Sequence, residues 1–387
     1  MYNLLIIILI CSSLLIIHTY VFYPLFMILI YRNSNHNQLL FYSDDELPSI
    51  AILIAAHNEE KVIEKKILSV FNTNYPSSKL KIFIGSDAST DRTDEIISNL
   101  TNTYSNIEFI KFKGRVGKIS IINHLQSLCD EPVLILSDAN VIFKQNTIFE
   151  LVKYFKDSHV GLVSANIIKE SSNNDGISYQ EKKYLNFENK IKSSESYAFN
   201  FIMGAEGGCY AIRNNLFSKV PSNFIVDDFF ITMQVLERKN YALLNNLAIC
   251  IEDVTTDISS EYRRKVRISS GNFQNLFFFK HLLFDFSSIC FAFWSHKVLR
   301  WLTPFFIFIC LFSSVFLIPY HKFFIWISCI QLVLLLFPLF NYFFKFNNVF
   351  LKFIAHFYLM NFALFEGFIK FIKGIKSSIW EPINRNV

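Results

Sequence analysis

Residues 134–143 read LILSDANVIF, a run of branched apolar residues that breaks at Ser137, Asp138, Ala139 and Asn140 before the apolar residues resume. An acid at the carboxyl end of a buried strand sits outside the sheet, where open α/β sheets bind their ligands. Asp138 is therefore either a solvated turn residue or the anchor for a metal and a substrate. Two further acidic sites carry the same ambiguity. Asp87 ends the apolar run KIFIGSD, and Asp227 and Asp228 stand side by side in VDDFF. Adjacent carboxylates raise one another's pKa by repulsion, yet two acids before an apolar run also suit the first turn of a helix.

The elements that must hold these residues are legible. SIAILIAA (49–56) is continuously apolar, as a strand buried on both faces is. The stretch after it places Val62, Ile63, Ile67, Val70 and Phe71 at helical spacing. KIFIGSD (81–87) is a second strand, STDRTDEIISNL opens a helix with capping residues, and NIEFIKF (106–112) is a third strand. A basic loop, KGRVGK, leads into the helix ISIINHLQSL, and PVLILSD (132–138) is a fourth strand. Strand–helix alternation predicts a parallel sheet with right-handed crossovers and helices on both faces. The strand ends then bring His57, Asn58 and Glu59 into register with Asp87 and Asp138.

Composition sets the surroundings. The 387 residues are 52 % hydrophobic, with 44 Phe and a mean hydropathy of +0.32, too apolar for a soluble chain of this size. Residues 1–31 hold no charged side chain, 44–270 hold most of the charge, and 301–371 are again mostly apolar. The run before Arg32 can cross about 30 Å of hydrocarbon at about 1.5 Å per residue. A secretory signal peptide is the rival, but the basic start and small-residue cleavage site are missing, so an uncleaved anchor is expected. Further spans are expected at 302–319 and 323–341, separated by PYHK. Lys352, His356 and Glu366 interrupt 349–369, and the following pattern suits a helix lying in the interface. Basic residues at 263–267, 297–300 and 370–376 flank apolar stretches and mark the cytoplasmic side, which puts the polar middle in the cytoplasm. A net charge of +5 with no basic binding module excludes nucleic acid as the expected partner. Seven scattered cysteines without CxxC or Cys/His spacing point to neither a disulfide framework nor a zinc site.

Seven segments in order carry a resemblance: AAHNEEKVI, GSDASTDRT, GRVGKISIIN, LSDANVIF, GAEGGCYAIRNNLF, VDDFFITMQVLERKNYAL and YRRKVRISSGNFQNL. Over about residues 48–301 the chain resembles the family-two glycosyltransferases, membrane-bound inverting enzymes similar to the synthases of cellulose, hyaluronan and poly-N-acetylglucosamine. The resemblance implies a GT-A fold, a Rossmann-like, mostly parallel α/β sheet, with transmembrane helices at both ends. The implied organisation is an anchor at 1–31, a cytoplasmic GT-A domain at 48–270, an interfacial segment at 271–301 and transmembrane or interfacial helices at 302–373.

It also implies roles. Asp87 and Glu59 would contact the nucleotide, since carboxylates accept from ring N–H groups and sugar hydroxyls; Asp91 is read as a helix cap. Lys118, after Gly114 and Gly117, matches a Gly-Lys element near the nucleotide, and is otherwise a solvated loop lysine. Asp138 and Asn140 occupy an Asp-x-Asp position that holds Mg2+ or Mn2+ against the diphosphate. The amide in place of the second acid lowers the charge offered to the metal. Asp228 takes the place of the base that deprotonates the acceptor, with Asp227 beside it and Gly207 on the acceptor side. Arg264 and Arg267 fall in the position of a Gln-x-x-Arg-Trp motif, with Arg replacing Gln and Ile268 replacing Trp. The guanidinium suits a diphosphate, whereas losing the aromatic floor argues against processive synthesis.

The expected activity is therefore transfer of a sugar from a nucleoside-diphosphate sugar, a UDP-sugar foremost, to a saccharide acceptor in cell-surface polysaccharide synthesis at the membrane. Single addition to a glycolipid or lipid phosphate is the nearest alternative. An inactive, nucleotide-sugar-binding regulatory subunit is another, and a transporter would need more spans with polar residues inside them.

Overall fold

The computed structural model describes residues 1–31, 39–42, 46–170, 177–253, 258–344, 346 and 348–375. Arg32 and Lys376, which enter the charge argument above, lie outside the described residues. The chain divides into two units, one within 1–29, 175–184 and 256–375, the other within 30–174 and 185–255.

In chain order the elements begin with α1 (Tyr2–Ile17) and α2 (Tyr23–Tyr31), joined by a π turn. The strand–helix alternation follows: β1 (Ile50–Ala56), α3 (Ile63–Phe71), β2 (Leu80–Ser86), α4 (Thr93–Thr103), β3 (Ile107–Lys111), α5 (Lys118–Gln126) and β4 (Val133–Ser137). Then come β5 (Val141–Phe143), α6 (Thr147–Val152), β6 (Val160–Glu170), α7 (Ile177–Phe199), β7 (Cys209–Arg213), α8 (Asp227–Glu237) and β8 (Tyr241–Asp253). The chain closes with α9 (Ile258–Phe278), α10 (Ser288–Ala292), α11 (Leu299–Leu317), α12 (Phe323–Phe344) and α13 (Val349–Ile372).

The sheet order is β3-β2-β1-β4-β7-β6-β8-β5. β3, β2, β1 and β4 run parallel, as the alternation requires. β7 enters antiparallel to both β4 and β6, and β5 antiparallel to β8, so the sheet is mixed. From β1 the chain moves outward through β2 and β3, then returns to place β4 on the other side. The switch point lies between β1 and β4, and open α/β sheets bind ligands outside the strand ends at such a point. Every residue of β1 is buried. Its Ile50, Ile52 and Ile54 pack with Ile63, Ile67 and Val70 of α3 and Ile97 of α4. On the other face α5 lies so close that a Cβ at Gly85 would fall 2.3 Å from Ile121 Cγ2. That close approach sets the N-terminus of α5, and with it Lys118.

The other unit is helical and apolar. Among the described residues four helices, Tyr2–Tyr31, Ser288–Leu317, Phe323–Phe344 and Val349–Ile372, are long and apolar enough to cross a membrane. Small polar groups join them, as is common between apolar helices: His18 Nε2 lies 2.9 Å from Ser295 Oγ, and Ser328 Oγ donates to Ser314 Oγ at 2.9 Å. α9, which carries Arg264 and Arg267, packs on α13 so tightly that a Cβ at Gly367 would lie 2.8 Å from the Val266 carbonyl oxygen. Tyr262 of α9 donates to Glu366 of α13 at 3.0 Å.

Candidate active site

Asp87 is completely buried and its carboxylate is fully engaged. It accepts from the backbone N–H groups of Val116 at 2.6 Å and Gly117 at 3.2 Å, and from Arg115 Nε at 3.0 Å. Gly117 has φ of 86°, a left-handed turn that glycine makes without strain. Arg115 reaches on to His57 Nε2 at 2.7 Å, and His57 Nδ1 lies 2.8 Å from the Asp87 carbonyl. Asp87 thus fixes the basic loop across the ends of β1 and β2. Arg115 and His57 were visible as residue types in that loop and strand end, yet nothing in their spacing marked them as partners. Glu59 is half-buried, and its N–H donates to Thr93 Oγ1 at 2.8 Å. Asp91 accepts from Thr93 N, the first residue of α4, at 3.0 Å and from Glu60 N at 3.1 Å, while the N-cap position itself is Arg92.

The second cluster lies at the ends of β4 and β7 and the start of α8. Lys118 Nζ donates to Asp138 Oδ1 at 2.6 Å and lies 3.9 Å from Asp227 Oδ2. Burial disfavours the ammonium, but Asp138, Asp227 and Asp228 outweigh it and raise the Lys118 pKa. Asp138 N–H donates to the Gly208 carbonyl at 3.0 Å, which ties its turn to the entry of β7. Gly207 lies against Asp228: a Cβ there would fall 2.7 Å from Asp228 Oδ2 and force the carboxylate to shift. Asp227 and Asp228 form the first turn of α8. Burial first, and then the charge of Asp227, push the Asp228 pKa up from 3.8 to about 7, against the Phe229 N–H, Lys118 and Lys192. The helix-cap and acid-pair readings of VDDFF are therefore compatible in one residue pair. Lys192 of α7 pairs with Glu206 at 2.5 Å beside this cluster. Glu206 lies in the small-residue segment singled out above, while Lys192 sits in a lysine-rich helix that offered no signal.

Asn140 turns toward β8, its Nδ2 donating to Glu252 Oε1 at 3.1 Å. Glu252 belongs to no motif and went unread. Arg264 and Arg267 stand on α9 in the helical unit, where Arg264 makes two bonds to buried Glu261, at 2.7 and 2.9 Å. The structure thus gathers Lys118, Asp138, Asp227, Asp228 and Gly207, and sets Asp87 and Glu59 at the neighbouring strand ends.

Among the described residues no three His, Cys, Asp or Glu side chains come together as a metal-holding group. The donor chemistry nevertheless suits a hard cation that shares its shell with phosphates. Asp138 is about one-third exposed, with Oδ1 on Lys118 and, among the described residues, no hydrogen bond to Oδ2. Glu252 holds the Asn140 amide nitrogen, which leaves the amide oxygen as the acceptor.

Residues 51–220 match the family model described as Glycosyl transferase family 2. A beta-monoglucosyldiacylglycerol synthase of Nostoc sp. is 29 % identical over 119 residues, 30 % of this chain and 25 % of that protein. A probable glycosyltransferase of Bacillus subtilis, YdaM, is 32 % identical over 110 residues, 28 % of this chain and 26 % of that protein. The chain thus spans about a quarter of the length of these curated relatives. The structure of a mannosyltransferase from Pyrobaculum calidifontis, in complex with GDP-Man and Mn2+, superposes with a TM-score of 0.70 over 94 % of this chain and 99 % of that one. Its sequence identity is only 16 %, so that likeness speaks for the fold. A switch point lined by acids and a match running from the first strand to just beyond the seventh have one owner in common: residues 51–220 form a family-2 glycosyl transferase domain with the GT-A fold.

Proposed function

We propose that the chain is a membrane-bound inverting glycosyltransferase that moves a sugar from a nucleoside-diphosphate sugar, a UDP-sugar first, to a saccharide hydroxyl in cell-surface polysaccharide synthesis. The observation that carries this is Asp228, held against Gly207 with its pKa raised to about 7, next to the Lys118–Asp138 pair. A sugar hydroxyl attacks C1 only weakly while it keeps its proton. Asp228, about half ionised at neutral pH and more basic than an ordinary carboxylate, takes that proton in its ionised form as the new C–O bond forms and the bond to the diphosphate breaks on the opposite face. Lys118 stands where it can pass from Asp138 to the departing phosphate oxygens. Asp138, with the Asn140 oxygen, would hold Mg2+ or Mn2+, which when bound neutralises charge on the departing diphosphate. Asp87 and Glu59 border the nucleotide side.

The acceptor has a second reading, addition of one sugar to a membrane lipid. Ile268 in place of an aromatic residue favours it, and the Nostoc relative is named for making a glucosyldiacylglycerol. An inactive subunit fits less well, because a dead site need not keep Lys118, Asp138, Asp227 and Asp228 together. We read the apolar helices as membrane spans with the GT-A domain cytoplasmic, and α13 as lying in the interface, because it packs on the strongly charged α9.

The test is incubation of the purified full-length chain with radiolabelled UDP-sugars, Mn2+ and native membranes, followed by separation of lipid from polymer. Label in polymer supports the first reading and label in single-sugar lipid the second. No transfer from any UDP- or GDP-sugar would defeat both.

A further inference from the structure

Lys66 lies in the middle of α3 with none of its surface exposed, beneath the turn that carries Asp138. Its Nζ donates to Ser137 Oγ at 2.7 Å and to the Val141 carbonyl at 2.6 Å, and rests 3.5 Å from the centre of the Phe143 ring. These partners sit on both legs of the turn. Ser137 Oγ lies 3.2 Å from the Gly208 carbonyl, the same oxygen that accepts the Asp138 N–H at 3.0 Å. Gly208 follows Gly207, the residue pressed against Asp228. One ammonium therefore joins the end of β4, the start of β5 and the entry of β7 in a single network.

A buried cation is costly to desolvate and persists where its donors are all used. Burial lowers the Lys66 pKa to about 8, opposed by Cys209, Cys250 and Asp138. A methionine would fill nearly the same volume without that cost, so packing alone gives no reason for lysine here. The use of the charge lies in the two directed bonds, which fix the spacing of Ser137 and Val141 and so the height of Asp138 above the sheet.

We propose that Lys66 is a positioning residue that sets the Asp138 turn and its registry with Gly207 and Gly208 from below. The functional consequence rests on the glycosyltransferase reading, whereas the geometric role does not. Side chains that hold a ligating group in place typically change affinity by about 10–100-fold when removed.

The experiment uses the full-length protein in detergent as wild type, Lys66→Met, Asp138→Ala and the double variant, with UDP plus Mn2+ as the probe in calorimetry. Hydrogen exchange is followed by mass spectrometry in peptides covering 133–143 and 203–213. Lys66→Met is expected to melt cooperatively, exchange faster in those two peptides but not in β2, and bind UDP and Mn2+ about tenfold more weakly or worse. In the Asp138→Ala background the same change should cost no further affinity, because Lys66 acts through that turn. Wild-type exchange and affinity in Lys66→Met would overturn the proposal, as would full additivity in the double variant. If Lys66→Met does not fold, Ser137→Ala decides on the same two readouts. If UDP binds nowhere even in the wild type, while exchange rises as expected, the glycosyltransferase reading falls and the positioning role stands.

Discussion

Lys118 Nζ lies 2.6 Å from Asp138 Oδ1 and 3.9 Å from Asp227 Oδ2, so one ammonium balances two acids on different elements. On the proposed function that cation would compete with a divalent ion for Asp138 and attract the diphosphate once it arrives. Lys118→Met is expected to separate these effects. Without nucleotide, Mn2+ should bind more tightly, as read by electron paramagnetic resonance of the free ion. Affinity for UDP should fall by about tenfold, the scale of one charge-assisted hydrogen bond.

A Cβ at Gly207 would fall 2.7 Å from Asp228 Oδ2, so that carboxylate would have to move. Gly207→Ala should displace the base and leave the nucleotide side alone. The expected result is a fall in kcat of about 10²-fold, the scale of a misplaced reacting group, with donor KM within about twofold. Steady-state kinetics with both substrates varied reads the split.

Asp228 has its pKa raised to about 7 from 3.8, by burial and then by Asp227. Between about pH 4 and 7 the folded state keeps a proton that the unfolded chain has released, so this group's contribution to stability falls as pH rises through that window. Asp228→Asn removes the loss. The variant should melt above wild type at pH 8, and the two curves should converge near pH 4. In the wild type, kcat/KM should rise along an acid limb centred near pH 7.

Asn140 donates from Nδ2 to Glu252 Oε1 at 3.1 Å, which changes what Asn140→Asp would do. Restoring the second acid places two carboxylates at hydrogen-bond distance. In EDTA the variant should melt below wild type, and Mn2+ should recover the difference by drawing the new carboxylate onto the ion. Equal melting in EDTA would mean that the Glu252 contact does not bear on this turn.

The parallel half of the sheet was legible because its code is local. Continuous apolar runs at 49–56, 81–87 and 132–138 end in polar residues, and the helices between them keep a 3.6-residue period. The strands Val160–Glu170 and Tyr241–Asp253 were not read, nor was the antiparallel entry of β7, since long-range pairing leaves little trace in local pattern. The site divides the same way. Asp138 and the Asp227–Asp228 pair could be named from strand and helix ends. The partners that tune them could not: Arg115 on Asp87, Glu252 on Asn140, Lys192 near Asp228 and Lys66 under the turn are each brought there by tertiary packing alone.

The central claim is that Asp228 is the base of a sugar transfer, and one variant tests it most directly. Asp228→Asn keeps the shape of the side chain and cannot accept a proton. With the full-length enzyme, its preferred nucleotide sugar and native membranes, transfer is expected to fall by about 10²-fold or more, while UDP affinity in Mn2+ stays at the wild-type value. Transfer at the wild-type rate by Asp228→Asn would contradict the account and move the base elsewhere, with Asp227 the nearest carboxylate on the same turn.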